Sequence, residues 1–243
     1  MPTFSLRLSA LHLLTGRGVR IAVIDSGVHA AHPHLGSVAG GVGIDSNGLE
    51  YDDYVDRLGH GTAVAAVLRE KAPAAEILAV KVFDRELSTT GVALVAAMRW
   101  AREHDVRLVS LSLGTANPSH ETALLREVQA AEASGIMVVA AGEQDGTRWL
   151  PGSLAGVIAV TRDMTLPRDV CDVAIDETGR VTVRASGYPR PIPGVPEERN
   201  LRGLSFAVAN ASGLLARVLE GVAPGADIRA ALTGVVSSTS ESE

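Results

Sequence analysis

Ile21-Ala22-Val23-Ile24-Asp25-Ser26-Gly27 decides how this chain folds. An unbroken apolar run ends on a carboxylate and then a glycine, which reads as a strand covered on both faces that stops on an acid and turns. Counted from residue 20, this strand spans 20–25. Further apolar runs at 77–83, 107–112, 136–141, 157–161 and 180–184 read the same way. Ala-rich amphipathic stretches at 60–70, 91–104, 119–134 and 204–220 read as helices. Strands alternating with longer helices imply βαβ units. The fold class is therefore α/β, with a central, mostly parallel sheet flanked by helices in three layers. In the helix at 91–104, Val92, Val95, Ala96 and Trp100 fall on one face. In the next, Ser119 is placed to cap the start and Gly135 the end. Gly/Pro-rich stretches at 36–48 and 186–203 read as loops, and loops leaving C-terminal strand ends build the site of an open α/β sheet.

A length of 243 residues suffices for one sizeable core. The expected organisation is a single domain over 1–236 and a disordered polar tail at 237–243. Hydrophobic residues make up 46% and charged residues 21%, and no apolar run approaches the roughly 18 residues needed to span a bilayer, so neither a disordered chain nor a membrane protein is expected. Aromatics are only 3%, so the core must be built from Ala, Val, Leu and Ile. The net charge of −6 argues against nucleic acid as the main partner. The single cysteine, Cys171, excludes an internal disulfide and reads as a small core residue. If Met1 is the native start, the absence of a basic segment followed by an apolar one places the protein in the cytoplasm.

Three segments present a reactive side chain at an element edge. Asp25 closes its strand; His60, in Gly59-His60-Gly61-Thr62-Ala63, opens a helix; Ser205, in Gly203-Leu204-Ser205-Phe206-Ala207, opens another. A Ser hydroxyl is a poor nucleophile until a base takes its proton, and the base needs an anion to fix its tautomer and stabilise its cation. Asp25, His60 and Ser205 supply those roles in the order Asp, His, Ser.

Over roughly residues 11–220 the sequence resembles the subtilisin-like serine proteases, the subtilases. Asp25 lies in a segment similar to that family's Val-Ala-Val-Ile-Asp-Ser-Gly, followed by His32-Pro33-His34-Leu35, and His60 in one similar to His-Gly-Thr-His-Val-Ala. Ala72-Pro73-Ala74 through Ala79-Val80-Lys81-Val82 resembles the next core strand and its lead-in, and Ser205 sits where Gly-Thr-Ser-Met-Ala is usual. Leu111-Ser112-Leu113-Gly114 and Val138-Val139-Ala140-Ala141-Gly142 resemble the strand ends that wall the pocket for the residue preceding the scissile bond. The resemblance implies peptide-bond hydrolysis through an acyl-enzyme. It also implies an extended peptide substrate pairing with Ser112, Leu113 and Gly114 and with Leu87, Ser88 and Thr89. Trp149 falls near the pocket floor. Filling that floor would favour small side chains; the other reading is a packed surface cover.

The pattern breaks where the family has an oxyanion-donating Asn, because the residue after Gly142 is Glu143. Three readings follow: a protonated Glu143 donates beside the Ser205 backbone N–H; Gln144 shifts to supply an amide; or the site is slow or dead. Losing such a donor costs about 10²–10³ in rate. The calcium loop of secreted relatives has no room between the His60 helix and Ala72, where only Arg69-Glu70-Lys71 stand. No metal and no cofactor is therefore expected; Asp52, Asp53 and Asp56 read as a solvated acidic patch. The reading is an intracellular serine endopeptidase of narrow specificity, acting in peptide or protein processing, without a prodomain before Asp25. The alternative is a subtilase-like pseudoenzyme that binds extended peptides without cutting them. Gly40-Gly41-Val42-Gly43 lacks a full phosphate-loop fingerprint, which sets aside a nucleotide-binding domain.

Overall fold

The computed structural model describes residues 3–223, 225–226 and 231–232, so the expected tail at 237–243 lies outside them. The apolar run opened above is strand β2, Arg20–Asp25. The other strands are β1 (Thr3–Arg7), β3 (Gly40–Ile44), β4 (Glu50–Tyr51), β5 (Glu76–Lys81), β6 (Leu108–Leu111), β7 (Met137–Ala141), β8 (Val157–Arg162), β9 (Val170–Ile175) and β10 (Val181–Ala185). Together they form one sheet in the order β1-β9-β10-β8-β7-β6-β2-β5-β3-β4. From β10 across to β3 every neighbouring pair is parallel. Antiparallel pairs occur only toward the edges, in β1 with β9, β9 with β10 and β3 with β4.

The helices are α1 (His60–Lys71), α2 (Gly91–Arg102), α3 (Glu121–Ala133) and α4 (Leu204–Glu220). Alternation along β2 shows how the layers form: Ile21 and Val23 point into a core shared with Val64, Leu68, Val208 and Leu215 of α1 and α4. Ala22 and Ile24 point to the other face, into a core with Leu94, Met98 and Val128 of α2 and α3. Both faces are dry, which is why the strand reads as continuously apolar. Cys171 is buried in the first core, and burial pushes its thiol up to about 12.

Some expectations need correction. The 36–48 stretch is not all loop: it holds β3, a strand hidden in the sequence by its glycines. Gly41 is required there because a Cβ would come within 2.3 Å of the Ala79 carbonyl on β5. Strands β1, β4 and β9 also escape sequence reading. On α2 Trp100 is buried and Val95 and Ala96 pack partly buried against the core, as expected, but Val92 is 54% exposed, and the face is filled by Gly91, Ala93, Leu94, Ala97, Met98 and Ala101. The alanines win that face because small side chains let the helix lie close to the sheet. Ser119 does not cap α3; it sits in a short 3₁₀ turn, Pro118–His120, where its N–H donates to the Asn117 side chain. Gly135, with φ of 72°, does terminate the helix as expected.

Sheet topology positions the site. From β2 the chain builds one side of the sheet through β3 and β5 and the other through β6, β7 and β8, so the C-terminal ends of β2 and β6 flank a topological switch point. Asp25 ends one of these strands and Ser112 follows the other. Helix α4 is anchored across the N-terminal segment: the Glu220 carboxylate accepts N–H bonds from Thr15 (2.5 Å), Gly16 (2.7 Å) and Arg17 (3.1 Å). Arg217 donates to the carbonyls of Leu11, Leu14 and Lys71.

Candidate active site

Asp25 is fully buried, and its Oδ1 accepts the Ser26 N–H at 2.7 Å and lies 2.7 Å from His60 Nδ1. Its Oδ2 has no hydrogen-bond partner among the described residues, so the whole hold of this carboxylate on the imidazole passes through one oxygen. His60 is the first residue of α1. Burial of the ring opposes its positive charge, but the hydrogen bond and charge of Asp25, with Asp56 adding to them, prevail and hold the His60 pKa above the ordinary histidine value.

Two features bring this pair together. Gly61 packs against the β2 turn so closely that a Cβ would stand 2.2 Å from the Gly27 carbonyl. Beside it runs a buried relay: the Gly61 N–H donates to Ser26 Oγ (2.9 Å), and Ser26 Oγ donates to Asp56 Oδ1 (2.9 Å). Asp56 also accepts the N–H groups of Leu58 (2.9 Å), Gly59 (2.8 Å) and Thr62 (2.8 Å), and the Thr62 hydroxyl (2.6 Å). It is therefore no member of a solvated patch, as its sequence neighbourhood suggested, but the buried carboxylate that satisfies the opening turn of α1. Sequence reasoning missed it, although an acid four residues before a helix-opening His is the pattern that could have signalled it. Burial alone would raise its pKa; the hydrogen bonds from Thr62, Leu58 and Ser26 outweigh that and hold it below the usual carboxylate range.

Replacing Asp56 by Ala leaves these donors without their acceptor, and an unfolding free energy lower by about 2–4 kcal/mol is expected in urea titrations at pH 7. Because the folded-state pKa is depressed, the contribution of Asp56 is fully present above about pH 4 and is lost as pH falls through the lowered value. The difference between wild type and Asp56→Ala should accordingly narrow in acid.

Ser205 is the second residue of α4, where an N-terminal turn leaves backbone N–H groups without intrahelical acceptors. Its Oγ donates to the Ser112 carbonyl at 3.2 Å. The Phe206 ring packs beside His60 with centroids 5.8 Å apart. His60 and Ser205 line one cleft of about 580 Å³, together with Leu87, Ser88, Thr89, Ser112, Leu113, Gly114 and Trp149. Trp149 is half-buried, packed against Gly114 and the core. The following residues close the strand edge: Thr115 and Leu150 exchange N–H···O bonds of 2.9 Å in both directions. Along this edge 112–114 thus remains as the stretch that lines the cleft before the Thr115–Leu150 pairing.

Ala140, Ala141 and Gly142 do not reach the cleft surface. Ala140 and Ala141 are buried, the Gly152 backbone lies against the Ala141 carbonyl, and the Gly142 N–H is taken by the Val160 carbonyl at 2.8 Å. Glu143 is exposed and outside the cleft lining, without the apolar enclosure that a proton-donating carboxyl needs. Gln144 does line the cleft. Its Oε1 accepts the Arg162 N–H at 2.8 Å and its Nε2 donates to Asp145 at 3.1 Å, which leaves the second amide N–H available. Among the described residues no group of three or more His, Cys, Asp or Glu could hold a metal ion. No described helix is long and apolar enough to cross a membrane.

The family model described as the Subtilase family matches residues 16–239. Subtilisin E of Bacillus subtilis is 29% identical over 232 residues, which is 90% of this chain and 58% of that protein. The thermostable alkaline protease of Halalkalibacterium halodurans is 29% identical over 225 residues, covering 84% of this chain and 57% of the relative. Subtilisin DY of Bacillus licheniformis is 36% identical over 160 residues, or 60% of this chain and 56% of its own. The chain thus spans little more than half the length of these relatives.

Proposed function

Starting from the fact that this chain belongs to the subtilase family, we propose that it is a serine endopeptidase in which Ser205 is the nucleophile, His60 the general base and then general acid, and Asp25 the group that orients and charges His60. The observation that carries this reading is the 2.7 Å contact between Asp25 and His60 at the mouth of a cleft that Ser205 also lines. With substrate bound, rotation about χ1 moves the Ser205 hydroxyl from the Ser112 carbonyl to His60 Nε2, since such bonds tighten only in the reactive complex. Ser205 Oγ attacks the scissile carbonyl as its proton passes to His60. The resulting imidazolium is stabilised by Asp25 and gives its proton to the leaving amine; water then repeats the sequence on the acyl-enzyme. The peptide before the scissile bond pairs with 112–114 in extended form. Trp149, packed on Gly114 in the cleft lining, is read as the group that limits the side chain before the scissile bond to small residues and so narrows specificity.

For the oxyanion, the reading favours Gln144 with the Ser205 backbone N–H. What supports it is that Gln144 lines the cleft with a free amide N–H, whereas Glu143 is exposed and apart. Gln144→Ala is expected to lower kcat by about 10²–10³ with little change in KM, while Glu143→Asn leaves kcat within a few fold. The reverse pattern would return the role to Glu143.

The raised pKa of His60 sets the pH dependence. The base must be neutral to act, so activity is lost as pH falls through the folded pKa, and the acid limb of kcat/KM should lie above the ordinary histidine value of about 6.5. A protonated Glu143 donor would instead make activity rise toward acid. A pH profile on a chromogenic peptide ester with Ala before the scissile bond separates the two.

A further inference from the structure

A second pocket, of about 400 Å³, lies beyond His60 on the other side of the first turn of α1. Gly59, Thr62 and Ala63 form its α1 wall, where Ala63 stands in place of the second His expected from the family motif. His29, His32 and His34 come from the turn after β2, and Arg190 from the 186–203 loop. The rings of His32 and His34 are 5.0 Å apart.

The charges in this pocket are unbalanced. Asp56 lines it, but both its oxygens are already occupied by N–H and O–H donors. Glu70, the other nearby acid, is held bidentately by Arg168. The Arg190 guanidinium forms no ion pair within 4 Å among the described residues; Glu70, already taken by Arg168, acts on it only through space. Burial, Arg190 and His32 together outweigh Glu70 and hold His34 below the ordinary histidine pKa, as expected where positive charge exceeds the negative charge in reach. The rim is apolar and exposed, with Ile192 at 48% and Leu201 at 57%.

Position relative to His60 says what could enter. The general acid protonates the leaving amine, so the peptide after the scissile bond must pass His60 and leave on the side away from 112–114. That path leads over Leu201, four residues before Ser205, to this pocket. We propose that the pocket is a specificity site for an acidic side chain, Asp or Glu, two or three residues after the scissile bond, with Arg190 as its charge partner. This inference rests on the peptidase reading above for its direction, but binding tests it separately from catalysis.

The probes are fluorescent peptides with Ala before the scissile bond, identical except for Glu, Gln or Lys at the second or third position after it. Anisotropy with the Ser205→Ala protein should show the Glu peptide binding about tenfold or more tighter than the Gln peptide, the gain of one charge-assisted bond, and Lys weaker than both. In Arg190→Gln, on the same background, Glu and Gln should bind alike while the Gln peptide keeps its affinity within about twofold; His34→Gln should reduce the preference in part. Equal binding of Glu and Gln, a preference that survives Arg190→Gln, or no binding at millimolar peptide overturns the proposal. Wild-type kcat/KM on the same peptides adds the second axis. A Glu preference in binding without cleavage or active-serine labelling would retain the pocket and sink the peptidase, whereas cleavage without Glu preference would do the opposite.

Discussion

Ser205→Ala is expected to lower peptide hydrolysis by about 10⁶ in kcat, to the level left by binding and oxyanion contacts alone. The structural cost should be slight. The Ser205 hydroxyl makes one hydrogen bond, to the Ser112 carbonyl, at the surface of a cleft rather than in the core. Far-UV spectra and the urea midpoint should therefore stay close to wild type while turnover vanishes. Turnover that persists within tenfold of wild type would remove Ser205 from the mechanism; a collapse of the urea midpoint would make it a structural residue.

Asp25→Asn should cost about 10⁴ in kcat, through the tautomer of His60 rather than through the shape of the site. Among the described residues Oδ1 of Asp25 is the only side-chain oxygen on His60 Nδ1, and Oδ2 has no hydrogen-bond partner. An amide in its place can turn an N–H toward Nδ1, which puts the ring proton on Nε2 and leaves no lone pair to receive the Ser205 proton. The substitution also removes the charge that raises the His60 pKa, against the burial that lowers it. The acid limb of whatever activity is left should move to lower pH, and an NMR titration of the His60 ring should show the same downward shift. An unchanged titration with unchanged turnover would leave Asp25 a mere strand-end cap.

The difference between what the sequence reveals and what it hides has physical causes. Strand β2 is legible because both its faces are dry, so every position from Ile21 to Ile24 is apolar. Asp25, His60 and Ser205 are legible because each marks an element boundary and carries chemistry that nothing else in its segment shares. β3 is hidden because its packing demands glycine, the residue that otherwise signals a turn. The α2 face is read only in part, right at Trp100 and wrong at Val92, because the alanines that settle onto the sheet carry less periodic signal than Val92, which faces solvent. Asp56 is the instructive miss: an acidic run reads as solvated surface until the backbone shows which carboxylate is turned inward to meet the N–H groups of α1. Likewise, Ala140, Ala141 and Gly142 sit at the expected strand end, but they are buried, with Gly152 against the Ala141 carbonyl and Val160 on the Gly142 N–H, and only tertiary contacts could reveal that.

The most direct measurement is covalent labelling of the folded wild-type chain by a fluorophosphonate, followed by intact mass and peptide mapping. Such a reagent phosphonylates only a serine whose proton is being removed. The predicted result is one adduct per chain, on Ser205, at a rate that falls as pH drops below the His60 pKa, and none in Ser205→Ala or His60→Ala. A folded chain that stays unlabelled from pH 4 to pH 9, tested over about the range where His and carboxylates titrate, would contradict the account and leave a peptide-binding relative without the chemistry.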